Sequence, residues 1–207
     1  MNKIPRSVAI ALVVACVLSA CSTPRSPTGT TSSLETRQKG TQQRFWNGMA
    51  KLCGNSYSGT LVSTDAADAS MAAQAMVMHV SACSPNEIRI PFHVGDNRSR
   101  TWVLSKTSSG LRLKHEHRHE DGSNDAVSHY GGDTIDEGSA ARQEFPADAE
   151  SISMFRKAGL DASVANIWAL ETDDTVFAYE LKREARFFRV EFDLTRPIAT
   201  PPPAWGH

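Results

Sequence analysis

Residues 111–125 read LRLKHEHRHEDGSND, and the fold turns on whether this stretch is coiled or extended. Extended chain sends alternate side chains to opposite faces. Laid out that way, Leu111, Leu113, His115, His117 and His119 share one face, while Arg112, Lys114, Glu116, Arg118 and Glu120 share the other. One side continues an apolar interior into three histidines, and the other offers water charges of both signs. A helix sorts the same letters badly. From Arg112 to Asp121 the only apolar side chain is Leu113, so packing such a helix on a core would bury several charges at several kcal/mol each. Residues 111–120 are therefore expected to be a strand, with DGSND at 121–125 as a five-residue hairpin loop. Pairing outward from Glu120 and Ala126 sets His117 opposite His129. Same-face neighbours stand about 6.6 Å apart, near enough for two imidazoles to converge on an ion about 2.1 Å from each nitrogen. His115, His117, His119 and His129 are thus the candidate ligand or metal residues. The plainer alternative is that they line a wet barrel mouth and bind nothing.

The period of two recurs on both sides of this segment. Candidate strands are 59–64, 75–82, 87–92, 101–107, 111–120, 126–130, 140–145, 166–171, 175–182 and 186–193, separated by the turn-rich runs SPNE, GDNRS, SSG, DGSND, GGD, DD and REA. Phe45, Trp46, Met49 and Leu52 are spaced one helical turn apart and Gly54 ends their run, which predicts one short amphipathic helix; residues 148–160 offer a second. Ten short strands with brief connections predict a mainly β domain, an antiparallel lipocalin-like meander closed into a barrel so that it has no free edges. A two-sheet β-sandwich is the alternative. Met76, Met78, Trp102, Trp168, Phe188, Val190 and Phe192 are expected in the core, and the proline-rich tail TRPIATPPPAWGH is expected along the outside.

The letters His115-Glu116-x-x-His119 also match the H-E-x-x-H motif of zinc proteases. Extended to Gly122 and Asp125, they give H-E-x-x-H-x-x-G-x-x-D, which resembles the metzincin signature with Asp in place of the third His. The resemblance implies zinc on His115, His119 and Asp125, with Glu116 as general base for a metal-bound water. That chemistry requires a helix, because only the 3.6-residue period brings positions four apart onto one face. A zinc metallopeptidase is therefore the alternative function, and zinc the alternative to an expectation of no cofactor.

The N-terminal residues 1–21, MNKIPRSVAIALVVACVLSAC, place Lys3 and Arg6 before an apolar run from Val8 to Leu18. Eleven residues are too few for a spanning helix and have the shape of an export signal. Leu18-Ser19-Ala20-Cys21 resembles the lipobox of bacterial lipoproteins, which implies cleavage before Cys21 and its acylation. With Ser22 rather than Asp next, the resemblance implies anchoring in the outer membrane, the domain facing the periplasm. The chain divides accordingly into a signal peptide (1–20), an acylated cysteine with a Ser, Thr, Pro and Gly-rich flexible linker (21–40) and a single domain (41–207). Two or more acyl chains would hold the protein on the membrane permanently.

Balanced charge, 22 Lys+Arg against 23 Asp+Glu, lacks the basic footprint of nucleic-acid binding, and 40% apolar residues argue against disorder. With Cys21 acylated, the mature chain retains Cys53 and Cys83; in an oxidising compartment a disulfide between them is the economical expectation, and two buried free thiols the alternative. The runs FWNGMAKLCG, RTWVLS, LRLKHEHRHEDG, QEFPAD and FRVEFDL resemble a group of uncharacterised proteobacterial secreted lipoproteins across most of residues 41–207. That resemblance supports the envelope address and brings no activity, cofactor or catalytic residue with it. The expected function is non-enzymatic binding of a small ligand or an envelope partner, with a pocketless structural protein as a further alternative. Replacing the modified thiol tests the address: Cys21→Ser, expressed in a two-membrane bacterium, should move the protein from the membrane pellet to the soluble fraction.

Overall fold

Strands form where apolar and polar residues alternate, because a sheet with one face on a core and one toward solvent rewards that period. The computed structural model describes Met1 and residues 29–207. Its strands are β1 (Ser56–Leu61), β2 (Met76–His79), β3 (Ala82–Cys83), β4 (Glu87–Val94), β5 (Asn97–Lys106), β6 (Leu111–His117), β7 (Tyr130–Asp133), β8 (Arg142–Pro146), β9 (Ile167–Thr172), β10 (Val176–Arg183) and β11 (Arg186–Ile198). Three helices accompany them: α1 (Gly29–Ala50), α2 (Ala69–Ala72) and α3 (Ala149–Lys157). The strands make one antiparallel sheet in the order β7-β6-β5-β4-β2-β1-β11-β10-β9-β8, with β3 pairing to β4. The first strand pairs with the last, so the meander curls into a nearly closed barrel, as expected, rather than two stacked sheets.

The remaining seam lies between β7 and β8, and two glycines bridge it. Ser151 Oγ accepts from Gly131 N (2.7 Å) and donates to Gly131 O (2.9 Å), and Asp148 N donates to the same carbonyl (2.9 Å). A Cβ on Gly131, whose φ is +151°, would lie 1.9 Å from the Leu113 carbonyl oxygen; one on Gly132 would lie 1.8 Å from that of Pro146. The GGD run, expected as a break between strands, is therefore part of β7, its glycines serving close backbone approach rather than a turn.

Aromatic side chains fill the lumen. Trp102 of β5 stacks between Phe92 of β4 (centroids 4.8 Å apart) and Tyr179 of β10 on the opposite wall (4.3 Å), and Trp168, Phe145, Phe177 and Phe192 are completely buried around them. The expected core residues Met76, Met78, Phe188 and Val190 are buried as well. Helix α1 closes the end at which β6 begins, burying Phe45, Trp46 and Met49, with Gln42 Nε2 donating to Thr134 Oγ1 (2.9 Å). It starts at Gly29, inside the stretch expected to be a flexible linker; Leu34, Glu35, Arg37, Gln38 and Lys39 are all favourable helix formers. Cys53 and Cys83 form a disulfide that ties the end of α1 to β3. Closing a loop of that length stabilises the fold by about 3–4 kcal/mol in the chain-entropy account.

Other boundaries differ from expectation. Strand β6 stops at His117 rather than Glu120, residues 126–129 are not a strand, and β11 continues past Asp193 through Pro197 to Ile198. A register shift between Tyr57 and Gly59 sets Pro197 opposite Tyr57, an irregular stretch in which a missing N–H costs little. The remaining tail crosses the outer face of the sheet: Arg98 Nη1 donates to Pro203 O (3.0 Å), and Trp205 N donates to Arg98 O (3.1 Å).

Closure at the seam is directly testable. Gly132→Ala should destabilise the protein by about 1–3 kcal/mol or more, since the added methyl meets fixed backbone, and urea unfolding of the two proteins measures the difference.

Candidate functional site

The end of the barrel opposite α1 carries the polar groups. Alternation along β6 points Leu111, Leu113, His115 and His117 inward, and the register with β5 places Trp102 beside His115 and Arg100 beside His117. Tyr130 at the start of β7 and Tyr179 on β10 complete a cluster around a cavity of about 140 Å³, which Phe92, Phe188 and Arg186 also line.

Hydrogen bonding fixes the protonation of His115. Its Nδ1 lies 3.2 Å from the Tyr130 carbonyl, which can only accept, so Nδ1 carries the proton; Nε2 then accepts from the Tyr179 hydroxyl at 2.8 Å. The imidazole stacks on the Tyr130 ring at 4.7 Å. Burial pushes its pKa down to about 3, helped by the nearby His117 and Lys114 and opposed by the Tyr130 carbonyl. His117 Nε2 pairs with the Tyr130 hydroxyl (3.0 Å), and burial, with the charge of Arg100 beside it, brings its pKa to about 4 against the pull of Asp125. Burial also raises the phenols, Tyr130 to about 12 and Tyr179 well above its usual value. At neutral pH the cavity thus presents two uncharged imidazoles and two uncharged phenols in set orientations.

The other expected histidines stand elsewhere. His119 is exposed beyond the end of β6, in a tight turn where its N–H donates to Ser123 O (2.8 Å) and its carbonyl accepts from Gly122 N (2.9 Å). His129 is exposed in a left-handed conformation (φ +62°), its backbone N–H donating to His115 O (2.7 Å). The expected pairing of His117 with His129 does not form; His115 pairs with Tyr130, and His117 N donates to Ser128 Oγ (2.9 Å). The tight turn shifts the register by one residue, which sends His129 to the opposite side. Among the described residues, no three His, Cys, Asp or Glu side chains are grouped to hold a metal ion.

The zinc-protease pattern likewise lacks its helix. Residues 111–117 are strand, and extended chain separates Cα atoms four apart by about 13 Å, against about 6 Å along a helix. Asp125 does not join His115 and His119; its Oδ1 accepts from Val127 N (2.8 Å) in the loop. Glu116 points outward, yet it is buried rather than solvated, because the C-terminal tail folds over it. Arg89 and Arg118 (Nε, 2.8 Å) pair with its carboxylate, and His207 Nε2 lies 3.2 Å away. Burial works to raise this carboxyl, but the Arg118 hydrogen bond and the charges of Arg89, Arg118 and His207 hold it below its usual value. It is a structural anion on the outer face. Cys21 lies outside the described residues.

Four members of the cluster were not named from the sequence: Arg100, Tyr130, Tyr179 and Arg186. Arg100 alternates with Trp102 and Leu104, so continuing the period backward through the GDNRS run would have placed it inside. The meeting of Tyr179 with His115 depends on curvature of the whole sheet and leaves no local signal. Compared with models of known protein families, with curated proteins and with solved structures, the chain matches none.

Acid should unfold this cluster. Both histidines are neutral in folded and unfolded chains above pH 6.5, so they contribute no pH dependence there. Below it the unfolded chain takes up protons that the folded one refuses, until pH reaches about 4 for His117 and about 3 for His115. Stability should therefore fall steadily from pH 6.5 to pH 4. Urea midpoints across that range, compared with those of His117→Gln, which should fall less steeply, check the assignment.

Proposed function

We propose that the protein is a lipid-anchored lipoprotein of the outer membrane, attached through Cys21, whose periplasmic barrel domain binds a small molecule without transforming it. The cavity carries this proposal. It joins a stacked aromatic wall to two neutral imidazoles and two phenols, the pairing of apolar surface with a few oriented polar groups that distinguishes ligand sites. Its volume of about 140 Å³ is close to that of a cavity known to hold benzene, so the occupant is one ring or a chain of similar bulk. The Cys53–Cys83 disulfide and the N-terminal sequence support the envelope address.

A larger groove of about 640 Å³ runs outside β1 and β11, but its Arg196 is already paired with Asp193 (2.6 Å) and it gathers no comparable set of donors and acceptors. The packed lumen favours one second reading, a structural envelope protein for which the cavity is only a gap in the aromatic packing.

Nuclear magnetic resonance with single-ring compounds of differing charge separates the two. Saturable shifts at the imidazole resonances of His115 and His117 are the expected result, with those of His115 lost when His117→Trp fills the mouth. Silence of those resonances toward the whole panel would favour the structural role.

A further inference from the structure

Two arginines line the cavity, and among the described residues only Arg186 has its charge matched by a carboxylate. Arg186 donates to Asp68 through Nη1 (2.7 Å) and Nη2 (2.6 Å), and through Nη1 to Asp65 (3.1 Å). Arg100, on the opposite side of the same cavity, donates from Nη1 to the uncharged amide oxygen of Asn97 (3.1 Å) and has no carboxylate partner among the described residues. It sits in β5 directly beside His117, two residues before Trp102, so its guanidinium and the indole face inward from one strand.

The surrounding groups do not cancel that charge. Asp68 is committed to Arg186, and the charge of Asp125, whose Oδ1 accepts from Val127 N, acts on His117 and Tyr130 less than that of Arg100 does. The imidazoles and phenols are uncharged, and with Nε2 engaged by Tyr130, His117 Nδ1 has no partner among the described residues. An apolar slot therefore ends in a fixed, unmatched cation. An ammonium ligand would meet two guanidinium groups there, whereas a carboxylate would find a planar fork suited to two parallel hydrogen bonds.

We infer that the cavity takes a compact organic carboxylate, its ring-sized apolar body against Trp102 and Tyr179 and its anion on Arg100. This deepens the binding role proposed above and rests on it. No bond is made or broken; Arg100 supplies the counter-charge, and its planar guanidinium sets the direction from which the ligand enters.

Three probes of matched shape and different charge test the inference by calorimetry on the purified protein: benzoate, benzyl alcohol and benzylamine. Benzoate should bind about tenfold or more tighter than benzyl alcohol, the range expected for a hydrogen bond to a charged group, and benzylamine should not bind measurably. Arg100→Gln should weaken benzoate about tenfold or more, to near the affinity of the alcohol. Arg100→Lys, which keeps charge but not the fork, should fall between them. Equal affinity for benzoate and the alcohol, preference for the amine, or indifference of benzoate to Arg100→Gln would overturn the carboxylate assignment and leave a binding site of another selectivity. Binding of none of the three would overturn both the assignment and the binding role on which it rests. Thermal melts of each variant establish that it is folded.

Discussion

The alternation of side chains along Leu111–His117 is the constraint on which the rest depends. Because the strand is extended, His115 and His117 enter the lumen while Glu116 between them faces away, and no rotation of the chain can bring all three to one point. The two faces then meet different chemistry. Inside, the imidazoles find phenols and lose their charge; outside, Glu116 finds two arginines and keeps it. Neighbouring residues thus hold opposite electrostatic states within one strand, each stabilised by what the barrel packs against it.

Neutrality inside follows from the solid lumen. A wide, wet barrel would hydrate both histidines and leave them near their ordinary pKa, whereas Trp102, Trp168 and the stacked tyrosines exclude the water that an imidazolium needs. The same packing limits the cavity to ring-sized dimensions and orients its polar atoms. What remains charged at the opening, Arg100, lies where the aromatic wall gives way to the rim.

Much of the architecture was legible in the sequence because burial on one face writes itself as a period of two. The strands and the inward course of His115 and His117 follow from that rule, and the one-turn spacing of Phe45, Trp46, Met49 and Leu52 with the stop at Gly54 marks the end of α1. Register was harder. The turn after His117 closes early, bridging Arg118 to Asn124, so five residues of loop precede β7 and His129 turns outward. Glycine misled in a similar way. At Gly132 the missing side chain serves the approach of β7 to β8 across the seam, a contact that exists only once the sheet has curled, and at Gly131 it lets β7 lie close against β6. Glu116 illustrates the same limit: its alternation predicts solvent, and only the returning tail, whose His207 lies 91 residues later in the chain, buries it. Local pattern specifies faces; closure and long returns decide who meets across them.

The tautomer of His115 tests the core of this account most directly, since it depends at once on the strand, on the Tyr130 carbonyl and on Tyr179 from the far wall. A long-range proton–nitrogen correlation spectrum at neutral pH should show an uncharged ring protonated at Nδ1, with Nε2 shifted as an acceptor. A ring protonated at Nε2, or an imidazolium bearing both protons, would contradict the arrangement of the barrel mouth.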